Sequence, residues 1–127
     1  MTTLENLIDR YCEGWSAESE SERERLIRGS LANEAIYTDP RTNRLQISDL
    51  LAHISKIHLS RPGAIVRRTS NVDAHHGFAR FNWCVVMQDG NTLPEGLDVI
   101  ELSADGTRIR SITGFFGPLL ALSKSDA

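Results

Sequence analysis

Two acidic residues stand in a segment that is otherwise apolar, and they are the first candidates for chemistry in this chain. The segment is residues 96–102, whose β-branched and apolar residues predict a strand. A strand with one buried face rarely holds a carboxylate unless the group is exposed, paired or functional. Asp98 and Glu101 are three residues apart, so they face opposite sides of the strand unless a bulge intervenes. We therefore expect only one of the two acids to point into the protein.

Two further polar side chains stand where they could reach a cavity. Asp39 ends a short predicted strand, because Pro40 holds it extended and stops the strand. Its carboxylate could line the mouth of a cavity or cap the turn that follows. Tyr11 lies in the middle of an apolar helical face. Its hydroxyl could bind a backbone carbonyl in the core or donate a hydrogen bond into a cavity.

The elements that must position these residues form one domain spanning 1–127, with its core at about 4–118. Apolar spacing predicts helices near 4–15 and 47–58, and a charged helix at 20–30. Strands are predicted at 35–40, 64–70, 75–88, 96–102 and 107–116, with turns at 71–74, 89–91 and 103–106. This order is typical of an α+β domain in which three helices gather on one face of a curved antiparallel sheet. Such an arrangement leaves a conical cavity suited to a small molecule.

Composition excludes several classes of partner. The chain has 127 residues, 40% of them hydrophobic and 24% charged, with a net charge of −3. That balance favours neither nucleic acids nor anionic membranes as partners. Cys12 and Cys84 lack the spacing of a metal site, so we expect free, buried thiols and no metal or cofactor. No export signal or membrane span is visible, which predicts a cytoplasmic protein.

The order of elements, together with particular residues, resembles the nuclear-transport-factor-like superfamily, in the branch of ketosteroid isomerases and SnoaL-like polyketide cyclases. Thr38-Asp39-Pro40 is similar to a Glu-Asp-Pro motif whose Asp is the general base. Tyr11 resembles a first-helix tyrosine that donates to the substrate oxygen. Residues 97–101 resemble a Leu-Asp-Val-Ile-Asp run whose last residue is a second donor, and Glu101 stands at that place. The resemblance covers residues 4–118 and implies a cystatin-like roll.

The resemblance implies an isomerase or cyclase that abstracts a proton next to a carbonyl of a hydrophobic small molecule. Asp39 would be the base, and Tyr11 and a protonated Glu101 would stabilise the developing oxyanion. The pocket wall implied by the same resemblance comprises Trp15, Tyr37, Phe81, Trp83, Leu97, Val99, Gly114 and Phe116. On the strand at 75–88, alternation alone leaves open whether Phe81 and Trp83 or Arg80 and Asn82 face the pocket.

Two other functions fit the same scaffold. A domain that binds a small molecule or a partner without chemistry would use these polar groups only for structure. An epoxide hydrolase or dehydratase would need Arg80 and Asp98 to converge in the pocket. We also expect a homodimer through the outer face of the sheet, where Phe78, Val86, Ile100 and Leu102 are predicted to lie.

Overall fold

The structure is a computed structural model that describes residues 3–123. The three predicted helices are α1 (Thr3–Ser16), α2 (Glu20–Ser30) and α3 (Ile47–Ser60). The strands are β1 (Leu31–Asp39), β2 (Thr42–Leu45), β3 (Ile65–Arg68), β4 (Asp73–His75), β5 (Phe78–Val86), β6 (Gly96–Leu102) and β7 (Ile109–Phe115). The helices lie against one face of the sheet, as the predicted α+β architecture requires. Within residues 3–123, no helix is both long enough and apolar enough to cross a membrane.

The seven strands form one sheet in the order β2-β1-β7-β6-β5-β3, and β4 pairs with β5. The sheet is mixed, because β1 runs parallel to β7, whereas the sequence predicted antiparallel pairing throughout. In the chain, α3 and five strands, β2 to β6, lie between β1 and β7. The predicted hairpin between β6 and β7 is confirmed, with antiparallel pairing from Leu97 with Phe115 to Leu102 with Ile109.

The predicted long strand at 75–88 is interrupted at its start. Asp73–His75 pairs with Phe78–Arg80 across a two-residue turn at His76 and Gly77. Both turn residues have positive φ, 49° and 81° respectively, which is typical of tight hairpin turns. The sequence prediction of a turn at 71–74 was therefore wrong, because the turn lies at the His-Gly pair.

One face of β5 and β6 turns toward the helices. On β5 this face carries Ala79, Phe81 and Trp83, so this parity, and not Arg80 and Asn82, faces inward. On β6 it carries Gly96, Asp98 and Ile100, all of which are buried. Ile100 was predicted on the outer face; it is instead fully buried in the core. The two cysteines, Cys12 and Cys84, are free and buried.

Candidate functional site

A cavity of about 750 Å³ lies between the helices and the inner face of the sheet. This volume suits a drug-sized molecule. Aromatic rings make up much of its wall, which includes Tyr11, Trp15, Tyr37, Trp83 and Phe116. Neighbouring rings contact one another, with Trp15 centred 5.5 Å from Tyr37 and Trp83 centred 6.1 Å from Phe116. Asp39 and Asp98 are the acidic residues of this wall among those that the structure describes.

Asp98 reaches the cavity from the inner face of β6. Its Oδ1 accepts a hydrogen bond of 2.8 Å from the Trp83 indole Nε1. Gly96 makes this contact possible, because a Cβ atom there would lie 2.3 Å from the Trp83 ring. Burial raises the pKa of the Asp98 carboxyl to about 7; the Trp83 hydrogen bond opposes the shift and the charge of Asp39 adds to it. Asp98 can therefore both hold and release a proton near neutral pH.

Asp39 reaches the cavity from the end of β1 and is held by three donors. Its Oδ2 accepts a hydrogen bond of 2.7 Å from the Tyr37 hydroxyl. Its Oδ1 accepts from the Arg41 backbone N–H at 2.8 Å and from the Thr42 hydroxyl at 3.1 Å. Asp39 therefore occupies both of the positions considered from the sequence, because it caps the turn into β2 and also lines the cavity. These three donors hold the Asp39 carboxylate in one orientation at the cavity wall.

Gly114 lies on β7, the strand between β1, which carries Asp39, and β6, which carries Asp98. It pairs with Asp98 across β6 and β7. A Cβ atom at Gly114 would lie 2.9 Å from Asp98 Oδ1 and 3.6 Å from Asp39 Cβ. The missing side chain therefore leaves the space in which the Asp98 carboxyl sits. Gly114 was predicted to contact substrate, but it lies behind the carboxyl and not on the cavity wall.

The Tyr11 hydroxyl is buried at the cavity and has no hydrogen-bond partner among residues 3–123. Trp15 lies beside it edge-on, with ring centroids 6.5 Å apart, but does not form a hydrogen bond of good geometry with the hydroxyl. Burial first, and then the charge of Asp98, raise the pKa of the Tyr11 phenol well above its ordinary value. The hydroxyl thus keeps its proton. An unmet buried donor costs about 1–3 kcal/mol, so a group supplied by a ligand would stabilise it.

Glu101 lies on the opposite face of β6 from Asp98. Its carboxylate forms an ion pair with Arg110, and both side chains are partly exposed. The predicted placement of Glu101 in the pocket is therefore wrong, because the register of β6 turns Asp98 inward instead. The inward residues of β6 alternate Gly96, Asp98, Ile100, and a one-residue change of register moves every side chain to the other face.

The predicted wall residues divide into two groups. Trp15, Tyr37, Trp83 and Phe116 line the cavity, whereas Phe81 is buried in the core and does not line it. Leu97 and Val99 share the outer face with Glu101, so their predicted contact with substrate is wrong for the same reason of register. Arg80 is exposed on that outer face and pairs with Asp73. It does not converge with Asp98, as a hydrolase or dehydratase of the kind considered from the sequence would need.

Sequence reasoning missed several residues of the wall from α3 and the segment after it. His53, His58 and Arg61 line the cavity, and His58 Nε2 lies 2.7 Å from the Trp15 carbonyl oxygen. None of these three residues was among the predicted wall residues, because the position of His53 and His58 beside Trp15 of α1 depends on packing between helices. Among residues 3–123, no group of three or more His, Cys, Asp or Glu side chains could hold a metal ion.

Comparisons with known proteins give matches among solved structures. A protein of Agrobacterium tumefaciens, provisionally described as an isomerase of the SnoaL-like family, is 27% identical with a TM-score of 0.83. That match covers 93% of this chain and 100% of the other. A provisionally described ketosteroid isomerase from Kribbella flavida is 17% identical over 95% of this chain and 82% of its own, with a TM-score of 0.66.

A provisionally described SnoaL-like polyketide cyclase from a Jannaschia species is 13% identical, with a TM-score of 0.70. It covers 89% of this chain and 84% of its own. Other matching structures are described as nuclear-transport-factor-2-like proteins or as having a cystatin-like fold. No family model matches the chain, and no curated protein matches it.

Proposed function

We propose that this protein is an isomerase or cyclase, because it shares the fold of SnoaL-like and ketosteroid-isomerase-like structures. It moves a proton next to a carbonyl of a hydrophobic small molecule. The observation that supports this proposal is the buried Asp98 carboxyl, with its pKa near 7, on the wall of an aromatic cavity. A general base is most effective when its pKa lies near the working pH.

Asp98 is a better candidate for proton transfer than Asp39. Asp98 accepts one hydrogen bond, from Trp83, whereas Asp39 accepts three. The oxygens of Asp39 are thus occupied by fixed donors, whereas burial raises the pKa of the Asp98 carboxyl to about 7, near the working pH of a general base. The role of general base that the family resemblance implies for Asp39 therefore passes to Asp98 in this proposal. Asp39 holds Tyr37 in the wall and adds a negative charge that helps Asp98 retain its proton.

Tyr11 supplies the second part of the mechanism. When Asp98 takes a proton from the carbon next to a carbonyl, the electron pair of the C–H bond moves toward the oxygen and an enolate forms. The Tyr11 hydroxyl, which has no hydrogen-bond partner in the part of the chain that the structure describes, donates a hydrogen bond to that oxygen. Such a donor is worth more in a dry cavity than in water. Where the enolate is conjugated with a neighbouring C=C bond, Asp98 returns the proton to the far carbon of that bond, and the double bond shifts, which completes an isomerisation. Alternatively, the enolate carbon attacks a second carbonyl, which closes a ring, and Asp98 gives its proton to the alkoxide that forms.

The direct test is proton exchange in D₂O, followed by NMR on a panel of cyclic and aromatic ketones. The wild-type protein should catalyse loss of the α-proton signal, and Asp98→Asn should slow exchange by about 10²–10⁴-fold. Asp39→Asn tests the competing assignment, and Glu101→Gln is the matched control on the outer face. Full exchange by Asp98→Asn, with loss in Asp39→Asn, would move the base back to Asp39.

A second function, binding without chemistry, is favoured by the aromatic wall of the cavity. Five rings line it, those of Tyr11, Trp15, Tyr37, Trp83 and Phe116. Such a surface binds an apolar molecule whether or not the molecule reacts. Tight binding of ketones by the wild-type protein, with no exchange for any of them, would favour this function over catalysis.

A further inference from the structure

The charged side chains of the cavity wall are separated by depth. Asp39 and Asp98 lie at the buried end, with exposed fractions of 8% and 6%. Two arginines, Arg41 and Arg61, line the same cavity where it is more open, since Arg41 is exposed and Arg61 half-buried. A cavity with acids at its floor and bases at its opening favours a ligand whose two ends differ in charge.

Arg61 follows α3 and is held at the cavity by a weak contact. Its Nη1 donates to the Met87 sulfur at 3.7 Å, and a thioether is a poor acceptor. Within residues 3–123, Arg61 forms no ion pair. Its guanidinium therefore keeps strong donors for a carboxylate, the group that its planar fork binds best.

Arg41 adds positive charge to the same wall. Its Cζ lies 6.0 Å from the centre of the Phe116 ring. A guanidinium stacked on a ring keeps its in-plane N–H groups available. It also forms no ion pair among the described residues, so the opening of the cavity carries a net positive charge.

The distance between the Asp98 end and the Arg61 end of the cavity sets the length of the ligand. Asp98 is bonded to Trp83, and Arg61 contacts Met87. Trp83 lies in β5 and Met87 follows directly after its end, so the Cα atoms of these two residues lie about 13 Å apart. Two rings with a polar group at each end span such a distance. The Asp39 and Asp98 carboxylates would repel an anionic group at the floor, which fixes the direction in which the ligand enters.

We propose that the substrate is a hydrophobic keto acid, with its carbonyl end at Tyr11 and Asp98 and its carboxylate held by Arg61 at the opening. The carbonyl end of this inference rests on the proposed function; the carboxylate end rests on the arginines alone. The ligand class is therefore testable by binding, without turnover.

The test compares two probes of the same shape, 4′-acetylbiphenyl-4-carboxylate and 4′-acetylbiphenyl-4-carboxamide, by isothermal titration calorimetry. The wild-type protein should bind the acid about tenfold more tightly than the amide. Arg61→Gln should abolish most of this preference, and Arg61→Lys should keep part of it. Arg67→Gln, which removes an exposed arginine outside the cavity wall, should leave the preference unchanged.

Equal affinity for acid and amide in the wild-type protein, or binding of neither, would overturn the inference, as would a full preference in Arg61→Gln. Asp98→Asn separates this result from the proposed function, because it should lose proton exchange and still prefer the acid. If Asp98→Asn keeps full exchange while the preference for the acid holds, the proposed base is wrong and the ligand class stands. If exchange is lost but acid and amide bind equally, the ligand class alone is wrong.

Discussion

Replacing Asp98 with asparagine should stabilise the protein above neutral pH. Burial raises the pKa of this carboxyl from an ordinary 3.8 to about 7. The folded protein therefore holds a proton that the unfolded chain releases between about pH 4 and pH 7, so wild-type stability falls as pH rises through this window. Asparagine does not titrate and has nearly the same shape, and its side-chain oxygen can still accept the Trp83 hydrogen bond.

The size of the effect follows from the same pKa values. One pKa unit corresponds to about 1.4 kcal/mol, so ionising Asp98 in the folded protein costs about 4 kcal/mol once the pH is above 7. Because Asp98 is only 6% exposed, solvent screening reduces this figure little. The free energy of unfolding of Asp98→Asn, minus that of the wild type, should thus rise by about 4 kcal/mol between about pH 4 and pH 8.

Urea denaturation followed by circular dichroism, repeated across this pH range, measures that difference. Subtracting the wild-type curve cancels the titration of all other groups. Asp49→Asn, which removes an exposed carboxylate from α3, controls for the loss of one negative charge. If the difference for Asp98→Asn stays within about 1 kcal/mol from pH 4 to pH 8, the carboxyl is not desolvated as the structure implies, and its choice as proton-transfer group loses its basis.

Four further outcomes are expected. Tyr11→Phe removes a buried donor that has no partner among the described residues, so the free energy of unfolding in urea should stay equal or rise by about 1 kcal/mol. Proton exchange should fall about 10²-fold, and a clear loss of stability would show that the hydroxyl has a structural partner. Gly114→Ala should lower the free energy of unfolding by about 1–3 kcal/mol, because the added methyl group would crowd Asp98 Oδ1. Gly29→Ala in α2 is the control and should leave the free energy of unfolding unchanged or raise it. Glu101→Gln should change stability by less than about 0.5 kcal/mol and leave exchange intact. We propose a dimer through the outer sheet face, where Phe78 is 46% exposed. Light scattering should give twice the mass of one chain for the wild-type protein and the mass of one chain for Phe78→Ser. A monomeric wild-type protein would refute the interface.

Much of the fold could be predicted from the sequence, because the patterns that indicate its helices and turns involve residues close together in the chain. The helical apolar spacing of α1 and α3 and the Asp-Gly turn between β6 and β7 depend on neighbouring residues alone. The turn at His76 and Gly77 was missed because residues 71–74 carry the more common turn residues, Asn and Asp. The parallel pairing of β1 with β7 joins residues at least 75 positions apart, such as Tyr37 and Ile112, and no local pattern encodes which strands become neighbours.

The identity of the inward acid could not be predicted, because alternation fixes which residues share a face but not which face is buried. Both faces of β6 hold one acid and apolar residues, so composition does not distinguish them. The deciding interactions are non-local. On the inner face, the Trp83 indole N–H donates a hydrogen bond to Asp98. On the outer face, Arg110 of β7 forms an ion pair with Glu101. The family resemblance favoured Glu101 through its position in a motif, whereas the cross-strand partners place Asp98 in the cavity. Partners across the sheet, rather than neighbours in the chain, therefore decide which carboxyl is desolvated and thus which one has the pKa that proton transfer requires.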